Sequence, residues 1–585
     1  MELRHRLARL LRRAPLVALV ALAGLAAGPA HAAVAKPELE QPPQQISPPP
    51  GYELSAVEVV GIAGLGEKVR AERGQHRRFA ATAYTRGPGR WQVSYFDADA
   101  REVAQVRIDD ATGAILEEWT QEQVAWTMAR GYDGAFGRKL NSPWIWIPLC
   151  VMFLAPFVDP RRPFRLLHLD LLVLLAFGVS HVFFNRGEID TSVPLVYPVL
   201  VYLLARMLWS GFRPRERRER LLPLVPATWL LVVLVVLVGF RVGLNVIDSN
   251  VIDVGYAGVI GADRIADGDP LYGTGFSDEV ERGDTYGPIT YLAYVPFEQA
   301  MPWSGAWDDL PAAHGAAITF DLITLLGLVM LGRRLRPDRE GYELGIALGY
   351  AWATYPYALF TLQTNSNDGL VAMCTVLALL ALTHPRAQPS PQDGAQAITS
   401  RRNCVSAAAG GLAVGVGAAA KFAPLALAPL FAGGLARISR RGAPAFGLAL
   451  LVVLALTVAP FVPEGGLREL YDRTVGYQVA RPSPFSIWGQ HEWLGWLQEA
   501  VKMGALILAL VVAFVPRRRG PLQVAALGAA VIIAVQLGVT HWFYLYVAWF
   551  TPFALVAFLG SYGCPAAQEP SASAHRSFEP EPVPA

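Results

Sequence analysis

The sequence predicts an α-helical polytopic membrane protein with a small α+β domain outside the membrane. Hydrophobic residues make up 53% of the 585 residues and charged residues only 17%. This is too apolar for a soluble protein of that length. Apolar runs alternate with arginine clusters from Trp144 onward. We therefore expect about 13 membrane spans.

The candidate spans are the apolar stretches between these clusters. Several are shorter than the roughly 20 residues that an untilted helix needs, so the expected count of about 13 holds to within about one or two spans. They cover residues 142–158, 166–184, 193–211, 222–244, 311–332, 341–358, 369–383, 404–419, 422–436, 443–462, 493–515, 521–540 and 543–560.

The N-terminus has the pattern of a secretory signal. Five arginines precede an apolar run over 14–27, and Ala30-His31-Ala32 offers a small-x-small cleavage site. An uncleaved first span is the alternative, but a run this short favours a signal peptide over 1–32. A proline-rich linker follows over 33–52, and the next segment is expected outside the cytoplasm.

Residues 53–140 have the polarity of a small separate domain. A helix is predicted over 52–73, strands over 91–96, 103–108 and 114–119, a turn over 109–113 and a closing helix over 121–130. The pattern resembles a PepSY-type domain, in which a helix packs on a small antiparallel sheet. A binding or regulatory module and a structural cap remain equally open roles.

Positive charge alternates between successive loops. Arginine-rich loops are expected in the cytoplasm, and they lie at 161–165, 213–220, 333–336, 401–402, 437–441 and 517–519. This places 245–307, 363–368, the region of Lys421 and 463–492 together on the exterior face. Additional spans are assigned to 141–221, a catalytic module to 222–562 and a disordered cytoplasmic tail to 563–585. The protein is expected in the cell membrane.

The exterior segment 245–294 is rich in acidic, aromatic and glycine residues. It holds nine acidic residues against Arg264 and Arg282, directly after an apolar run. Ionisable groups beside hydrocarbon are costly, which favours a functional role. We interpret the segment as the catalytic loop of a membrane enzyme.

Three motifs in this loop and one later motif carry a family resemblance. They are Asp253-Val-Gly-Tyr256, Asp267-Gly-Asp-Pro-Leu-Tyr272, Tyr286-Gly-Pro288 and Lys421-Phe-Ala-Pro424, the last after a small-residue helix. Over roughly 222–560 the chain resembles polytopic GT-C glycosyltransferases, and in particular actinobacterial polyprenyl-phosphate-mannose-dependent mannosyltransferases. The outer domain, the three spans before Leu221 and a second nearby carboxylate depart from that family's plan.

The resemblance implies transfer of a hexose, by family mannose, from polyprenyl phosphate with inversion of configuration. Asp253 is then the general base, and Asp248 is the alternative base or an acceptor ligand. A helix cap or a solvated loop carboxylate is the ordinary alternative for Asp253. The expected substrate-binding residues are Tyr256, Tyr272, Asp284, Tyr286, Lys421, Arg481 and His541.

The leaving phosphate needs cationic or N–H partners. Lys421, Arg481 and His541 are the exterior candidates. Snorkelling to the interface is the alternative for Lys421, and an interfacial hydrogen bond is the alternative for His541. Six other exterior aromatic residues are interpreted as an interfacial belt: Trp488, Trp493, Trp496, Trp542, Tyr544 and Trp549.

No cofactor or metal is predicted. Asp267-Gly-Asp269 has the Asp-x-Asp spacing of a divalent-metal motif, but Gly268 and Pro270 favour a turn at a helix end. A divalent metal remains the less favoured alternative. The four cysteines show neither metal-ligand spacing nor a disulfide framework.

The expected partners are a polyprenyl-phosphate sugar, the membrane and a glycolipid, polysaccharide or protein acceptor; no nucleic acid is expected. A transporter or lipid-binding regulator of cell-envelope assembly is the alternative, because interrupted helices over 404–436 resemble a transporter device. Against it stand the lack of an inverted repeat and the few ionisable residues within spans, mainly Asp170, Asp321 and Lys421. In a third hypothesis the outer domain is the functional part and the spans only anchor it. One span would suffice for that, so about 13 spans would be left unexplained.

Overall fold

The computed structural model describes residues 39–131, 136–214, 219–273, 276, 283–305, 310–383, 395–438 and 440–563. The predicted signal peptide, Arg282 and the cytoplasmic tail after residue 563 lie outside the described residues, as does part of the proline-rich linker. Side chains of 395–402 are likewise not described.

The first described unit is a four-stranded antiparallel sheet with two helices on one face. The strands follow one another in the order β1-β2-β3-β4. The elements are α1 Ala56–Ala63, α2 Glu67–Arg73, β1 Ala80–Thr85, β2 Arg90–Phe96, β3 Glu102–Asp109, β4 Ile115–Thr120 and the short helix α3 Glu122–Ala125. The core between sheet and helices contains Trp91, Val93 and Val106 against Val59.

This unit confirms the predicted small sheet and corrects three details. The predicted helix over 52–73 is broken into α1 and α2, with Gly64 at the end of the first and Gly66 before the second, and Glu118 accepts from the Val69 N–H at 2.7 Å in the first turn of α2. Strand β1 was not predicted, since its small residues show no apolar alternation. The closing helix is only one turn long. A 3-10 turn, Thr127–Ala129, follows it, and Trp126 between them has extended backbone.

The remainder of the described chain is almost entirely helical. The helices before residue 248 are α4 Pro143–Leu154, α5 Leu166–Leu175, α6 Phe177–Asn185, α7 Ile189–Phe212 and α8 Ala227–Ile247. The helices from there to residue 382 are α9 Asp253–Asp267, α10 Ile289–Leu292, α11 Val295–Glu298, α12 Pro311–Leu335, α13 Asp338–Thr354, α14 Pro356–Gln363 and α15 Asp368–Leu382.

The last third continues in the same way. It contains α16 Ala395–Ala420, α17 Ala428–Ile438, α18 Gly442–Val458, α19 Gly466–Tyr471, α20 Tyr477–Ala480, α21 Ile487–Gln490, α22 Gly495–Phe514, α23 Pro521–Gly538 and α24 Val547–Leu559. A π-helical turn, Asp472–Gly476, joins α19 to α20.

By length and apolar composition, eight helical segments among the described residues can cross a membrane. They are Leu166–Asn185, Ile189–Phe212, Ala227–Ile247, Pro311–Leu335, Asn403–Ala420, Gly442–Phe461, Glu492–Phe514 and Pro521–Gly538. Four shorter apolar helices lie at Pro143–Phe157, Asp368–Leu382, Ala423–Arg437 and Tyr544–Leu559. A mostly helical chain with eight candidate membrane-spanning helices is therefore confirmed, while the count of about 13 spans, the sidedness and the GT-C class stay predictions.

The two acidic residues that the sequence analysis singled out within spans are each paired with an arginine. Asp321 of α12 accepts hydrogen bonds from Arg241 of α8, with Nη2 to Oδ1 at 2.5 Å, and from Trp352 at 2.9 Å. Asp170 accepts from Arg206 Nε at 2.9 Å. Buried charges are tolerated where partners satisfy them. The in-span acids that the sequence singled out are thus accounted for by neighbouring arginines.

Candidate active site

The position of Asp253 is set by the segment that links α8 to α9. Backbone N–H groups of Asn250 and Ile252 donate to the carbonyls of Gln363 and Thr364, at 3.1 and 3.2 Å. A Cβ atom at Gly255 would collide with the carbonyl oxygen of Asn365. The start of α9 is therefore held directly against the turn that precedes α15.

Asp253 is the first residue of α9, and the N-cap is Ile252. The cap residue makes no side-chain hydrogen bond, so Asp253 is not itself the N-cap, but its carboxylate interacts with the Val254 N–H in the first turn of the helix. Its side chain is accessible to solvent.

Gly287 brings the second motif of the loop to the same place. A Cβ atom there would collide with the carbonyl oxygen of Ala419, at the end of α16. The hydroxyl of Thr290 donates to the carbonyl of Ala420 at 3.1 Å. Tyr286 consequently lies beside Lys421, whose Nζ is 5.9 Å from the ring centre. Glycine at this position is required by close approach of two backbones.

Lys421 is held by a buried carboxylate. Its Nζ lies 2.7 Å from Oδ1 of Asp368, and Trp549 Nε1 donates to the same oxygen at 2.9 Å. The lysine side chain is only 11% exposed and that of Asp368 only 1%. The ring centres of Tyr546 and Trp549 are 5.5 and 5.4 Å from Nζ. Snorkelling is therefore wrong for Lys421, because its charge is directed inward to a partner.

Arg481 and His541 both lie beside Trp126, and His541 is also close to Tyr546, one of the aromatic residues around Lys421. The guanidinium carbon of Arg481 lies 4.7 Å from the ring centre of Trp126, in the segment after the sheet. His541 shares a hydrogen bond at 2.9 Å between Nδ1 and Ser483 Oγ. The imidazole is 5.7 Å from the Trp126 ring and 6.5 Å from that of Tyr546. The hydrogen bond predicted for His541 is present.

Electrostatics connect these groups to Asp253. Burial among protein atoms raises the pKa of Asp253, while the Val254 backbone N–H and the charges of Arg481 and Lys421 oppose that rise. Asp253 is accessible to solvent yet closely surrounded by protein atoms, and we call the region that it shares with Tyr286, Lys421, Arg481 and His541 the recess. The charges of Arg481, Lys421 and Asp368 act on its carboxylate. A carboxylate with two nearby cations is suited to proton transfer beside a developing anion.

The same cations act on the two other polar side chains. Burial, together with Arg481 and Lys421, lowers the pKa of His541 well below its usual value. His541 is therefore neutral at pH 7 and offers an N–H rather than a positive charge. Burial and the charge of Asp253 raise the pKa of Tyr286, which keeps its hydroxyl protonated.

Asp248 has different surroundings. Its carboxylate lies 3.5 Å from Lys139 Nζ and 4.0 Å from Arg138 Nη1, in the segment between the sheet and α4. It caps the C-terminal end of α8. These contacts give Asp248 a role in joining the segment after the four-stranded sheet to the end of α8, and its proposed role as alternative base stays untested.

The three other predicted substrate ligands serve the surrounding framework. Tyr256 is 1% exposed and packs edge-on against Trp303. Tyr272 is 4% exposed and donates its hydroxyl to the carbonyl of Tyr286 at 2.7 Å. Asp284 accepts from Arg473 Nη1 at 2.9 Å. Direct contact of these residues with substrate stays a prediction.

A separate open cavity adjoins Asp284. It measures about 470 Å³ and is lined by polar side chains from the loop and from the α19 region: Asp284, Thr285, Arg468, Glu469, Asp472, Arg473 and Tyr477, with Gly465. An apolar cavity of about 250 Å³ lies between the ends of α16 and α18, lined among others by Pro288, Ala419, Phe422 and Leu470.

Sequence reasoning missed three members of the cluster. Asp368 was noted only as part of an exterior turn, although a carboxylate at the start of an apolar helix could have marked it. Trp549 was interpreted as part of an interfacial belt, yet it is 6% exposed and bonds Asp368. Trp126 gave no sequence signal. Of the predicted belt, only Trp493 and Trp496 are strongly exposed, at 73% and 70%.

The Asp267-Gly-Asp269 motif forms the end of α9. Gly268 has a positive φ of 79°, and the N–H of Asp269 donates to Arg264 O at 2.8 Å. This is a helix-terminating turn. Within the part of the chain that the structure describes, no three His, Cys, Asp or Glu side chains are grouped so as to hold a metal ion.

Comparison with protein-family models, with curated proteins and with solved structures finds no match for this chain.

Proposed function

We propose that the protein is an inverting membrane glycosyltransferase that moves a hexose from polyprenyl phosphate to an acceptor outside the cytoplasm. Asp253 is the general base, and Lys421 and Arg481 accompany the leaving phosphate. Mannose is the default sugar through the family resemblance alone. The acceptor is a glycolipid, a polysaccharide or a protein.

One observation carries this proposal. Asp253, Tyr286, Lys421, Arg481 and His541 were singled out separately along 289 residues of chain. In the fold the charges of Lys421 and Arg481 act on Asp253 and His541, and Lys421 Nζ lies 5.9 Å from the ring centre of Tyr286. An accessible carboxylate with two nearby cations matches the needs of a reaction that removes a proton and releases a phosphate.

The reaction proceeds in one displacement. The acceptor hydroxyl gives its proton to Asp253 while its oxygen forms a bond to the anomeric carbon. The bond between that carbon and the phosphate oxygen breaks on the opposite face, and the electron pair leaves with polyprenyl phosphate. Lys421, Arg481 and the His541 N–H oppose the negative charge that grows on the phosphate.

The structure of the spans favours this proposal over a transporter. Coupling-ion sites in transporters use in-membrane carboxylates that exchange partners. Asp170 and Asp321 are instead bonded to Arg206 and Arg241.

The test is sugar transfer by purified protein in lipid nanodiscs, with radiolabelled polyprenyl-phosphate mannose and a membrane extract as acceptor. Asp253→Asn is expected to lower kcat by about 10²- to 10⁴-fold while donor binding is kept. Asp248→Asn is the matched control and is expected to retain most of the rate.

Different outcomes have distinct meanings. Loss of activity in Asp248→Asn alone would keep the reaction and move the base by five residues. Failure of a folded wild-type protein to bind or transfer any polyprenyl-linked sugar would overturn the proposal and favour a transporter.

A further inference from the structure

The contact between Trp126 and Arg481 joins the N-terminal unit to the candidate active site. We call this unit, residues 39–131 with the four-stranded sheet, the outer unit. Trp126 follows the four-stranded sheet, whereas Arg481 lies at the end of α20, more than 350 residues later. The guanidinium carbon is 4.7 Å from the indole centre. The indole also lies 5.7 Å from His541 and 5.5 Å from Phe485, edge-on to the latter.

Arg481 has few other restraints. Its Nε is buried and has no hydrogen-bond partner among the described residues. A guanidinium that stacks on an aromatic face keeps its N–H groups free for an oxyanion. The indole therefore orients the charge without using its donors.

The segment that carries Trp126 is itself fixed. Gln123 Nε2 donates to the carbonyls of Ala129 and Gly187, at 3.0 and 2.9 Å, and Arg130 Nε donates to the carbonyl of Gln123 at 2.8 Å. Gly187 lies in the loop between α6 and α7. These bonds hold the indole at a defined place against the helical part of the protein.

We propose that Trp126 is a positioning residue of the transferase site, so that the outer unit forms one wall of the recess and orients Arg481 toward the donor phosphate. This inference rests on the proposed function for its kinetic meaning. It assigns the outer unit a direct part in the reaction, beyond that of a cap or a separate binding module.

The chain provides a matched control. Trp119 is also a half-buried tryptophan of the outer unit, and its ring faces Lys68 at 4.9 Å and Arg130 at 5.7 Å. Its indole donates to Glu117 within the sheet. Replacing Trp119 removes a comparable side chain from the same unit without removing the contact to Arg481.

The experiment is a kinetic double-mutant cycle in full-length protein in nanodiscs. Trp126→Ala is expected to lower kcat/KM for the polyprenyl-phosphate sugar by about 3- to 30-fold, as for a desolvated cation–π contact. Trp126→Phe should recover part of the loss, and Trp119→Ala should stay within about twofold of wild type. In an Arg481→Ala background, Trp126→Ala should have no further effect, because the two residues act as one unit.

Wild-type kinetics in Trp126→Ala, or its full effect persisting in Arg481→Ala, would overturn the inference and leave the proposed function intact. If the wild-type protein transfers no sugar, the proposed function fails and thermal unfolding of the same four proteins decides the contact. Losses of Tm that are smaller in the double variant than the two single losses combined would support it. If the two single losses of Tm simply add in the double variant, the inferred contact between Trp126 and Arg481 is contradicted.

Discussion

The Nζ atom of Lys421 and the Oδ1 atom of Asp368 lie 2.7 Å apart, although 53 residues separate them in the chain. The pair joins the end of α16 to the start of α15. The second carboxylate oxygen of Asp368, Oδ2, is buried and has no hydrogen-bond partner among the described residues. The lysine is therefore the principal charge partner of an acid that has almost no access to water.

Lys421→Met is expected to destabilise the protein by about 3–5 kcal/mol, because it leaves a buried carboxylate without its cation. The double variant Lys421→Met/Asp368→Asn should recover much of this loss. Thermal unfolding in nanodiscs measures both. Equal stability of the single variant and wild type would mean that the ion pair does not contribute to the stability of the fold.

The acid side of the pH–rate profile reports on Asp253. A base works only when deprotonated, and burial raises the pKa of Asp253 above its ordinary value of 3.8. As the pH is lowered, transfer should therefore be lost at a higher pH than it would be with a base of ordinary aspartate pKa. Arg481→Gln removes a charge that stabilises the carboxylate, so its pKa should rise further and the acid limb should move to higher pH. A limb that stays in place or moves to lower pH in this variant would contradict the assignment.

Gly287→Ala is expected to disrupt the site. The added Cβ atom would collide with the carbonyl oxygen of Ala419 and push Tyr286 away from Lys421. Transfer should decrease at least tenfold, with a lower Tm, as for other backbone-incompatible substitutions. Gly504→Ala in α22 is the control. Its Cβ meets nothing within 4 Å, so this helical glycine should gain a few tenths to about 1 kcal/mol of stability. Unchanged transfer in Gly287→Ala would show that the close approach is not required.

The Asp321→Asn variant distinguishes a structural ion pair from a coupling-ion site of a transporter. Arg241 is 1% exposed, and loss of its partner should cost about 3–5 kcal/mol of stability. The rate of transfer per folded molecule should not change, because Asp321 lies within the span α12. Arg241→Gln/Asp321→Asn should be less destabilised. A single variant that keeps its Tm but loses function would instead identify Asp321 as a coupling site.

The helical architecture could be predicted because its cause is local. Each of the apolar stretches contains a helix in the structure, since run length and hydrophobicity alone decide it. The grouping of Asp253, Tyr286, Lys421, Arg481 and His541 was anticipated from arginine distribution, which placed all of them on one face. Their chemical roles stay predictions.

The missed features depend on distant parts of the chain. Strand β1 is stabilised by pairing with β2, because its own residues are too small to produce an alternating pattern. At the break between α1 and α2, the start of α2 donates to Glu118, which is 52 residues after Gly66. Asp368 and Trp126 acquire their significance from partners on other helices. No local pattern contains that information.

The hydroxyl of Thr290 accepts from Asn367 Nδ2 at 3.2 Å and donates to the carbonyl of Ala420. One oxygen atom thus ties together the segments that carry Tyr286, Asp368 and Lys421. We expect these three segments to open together rather than one at a time, so that their amide protons exchange at a common rate.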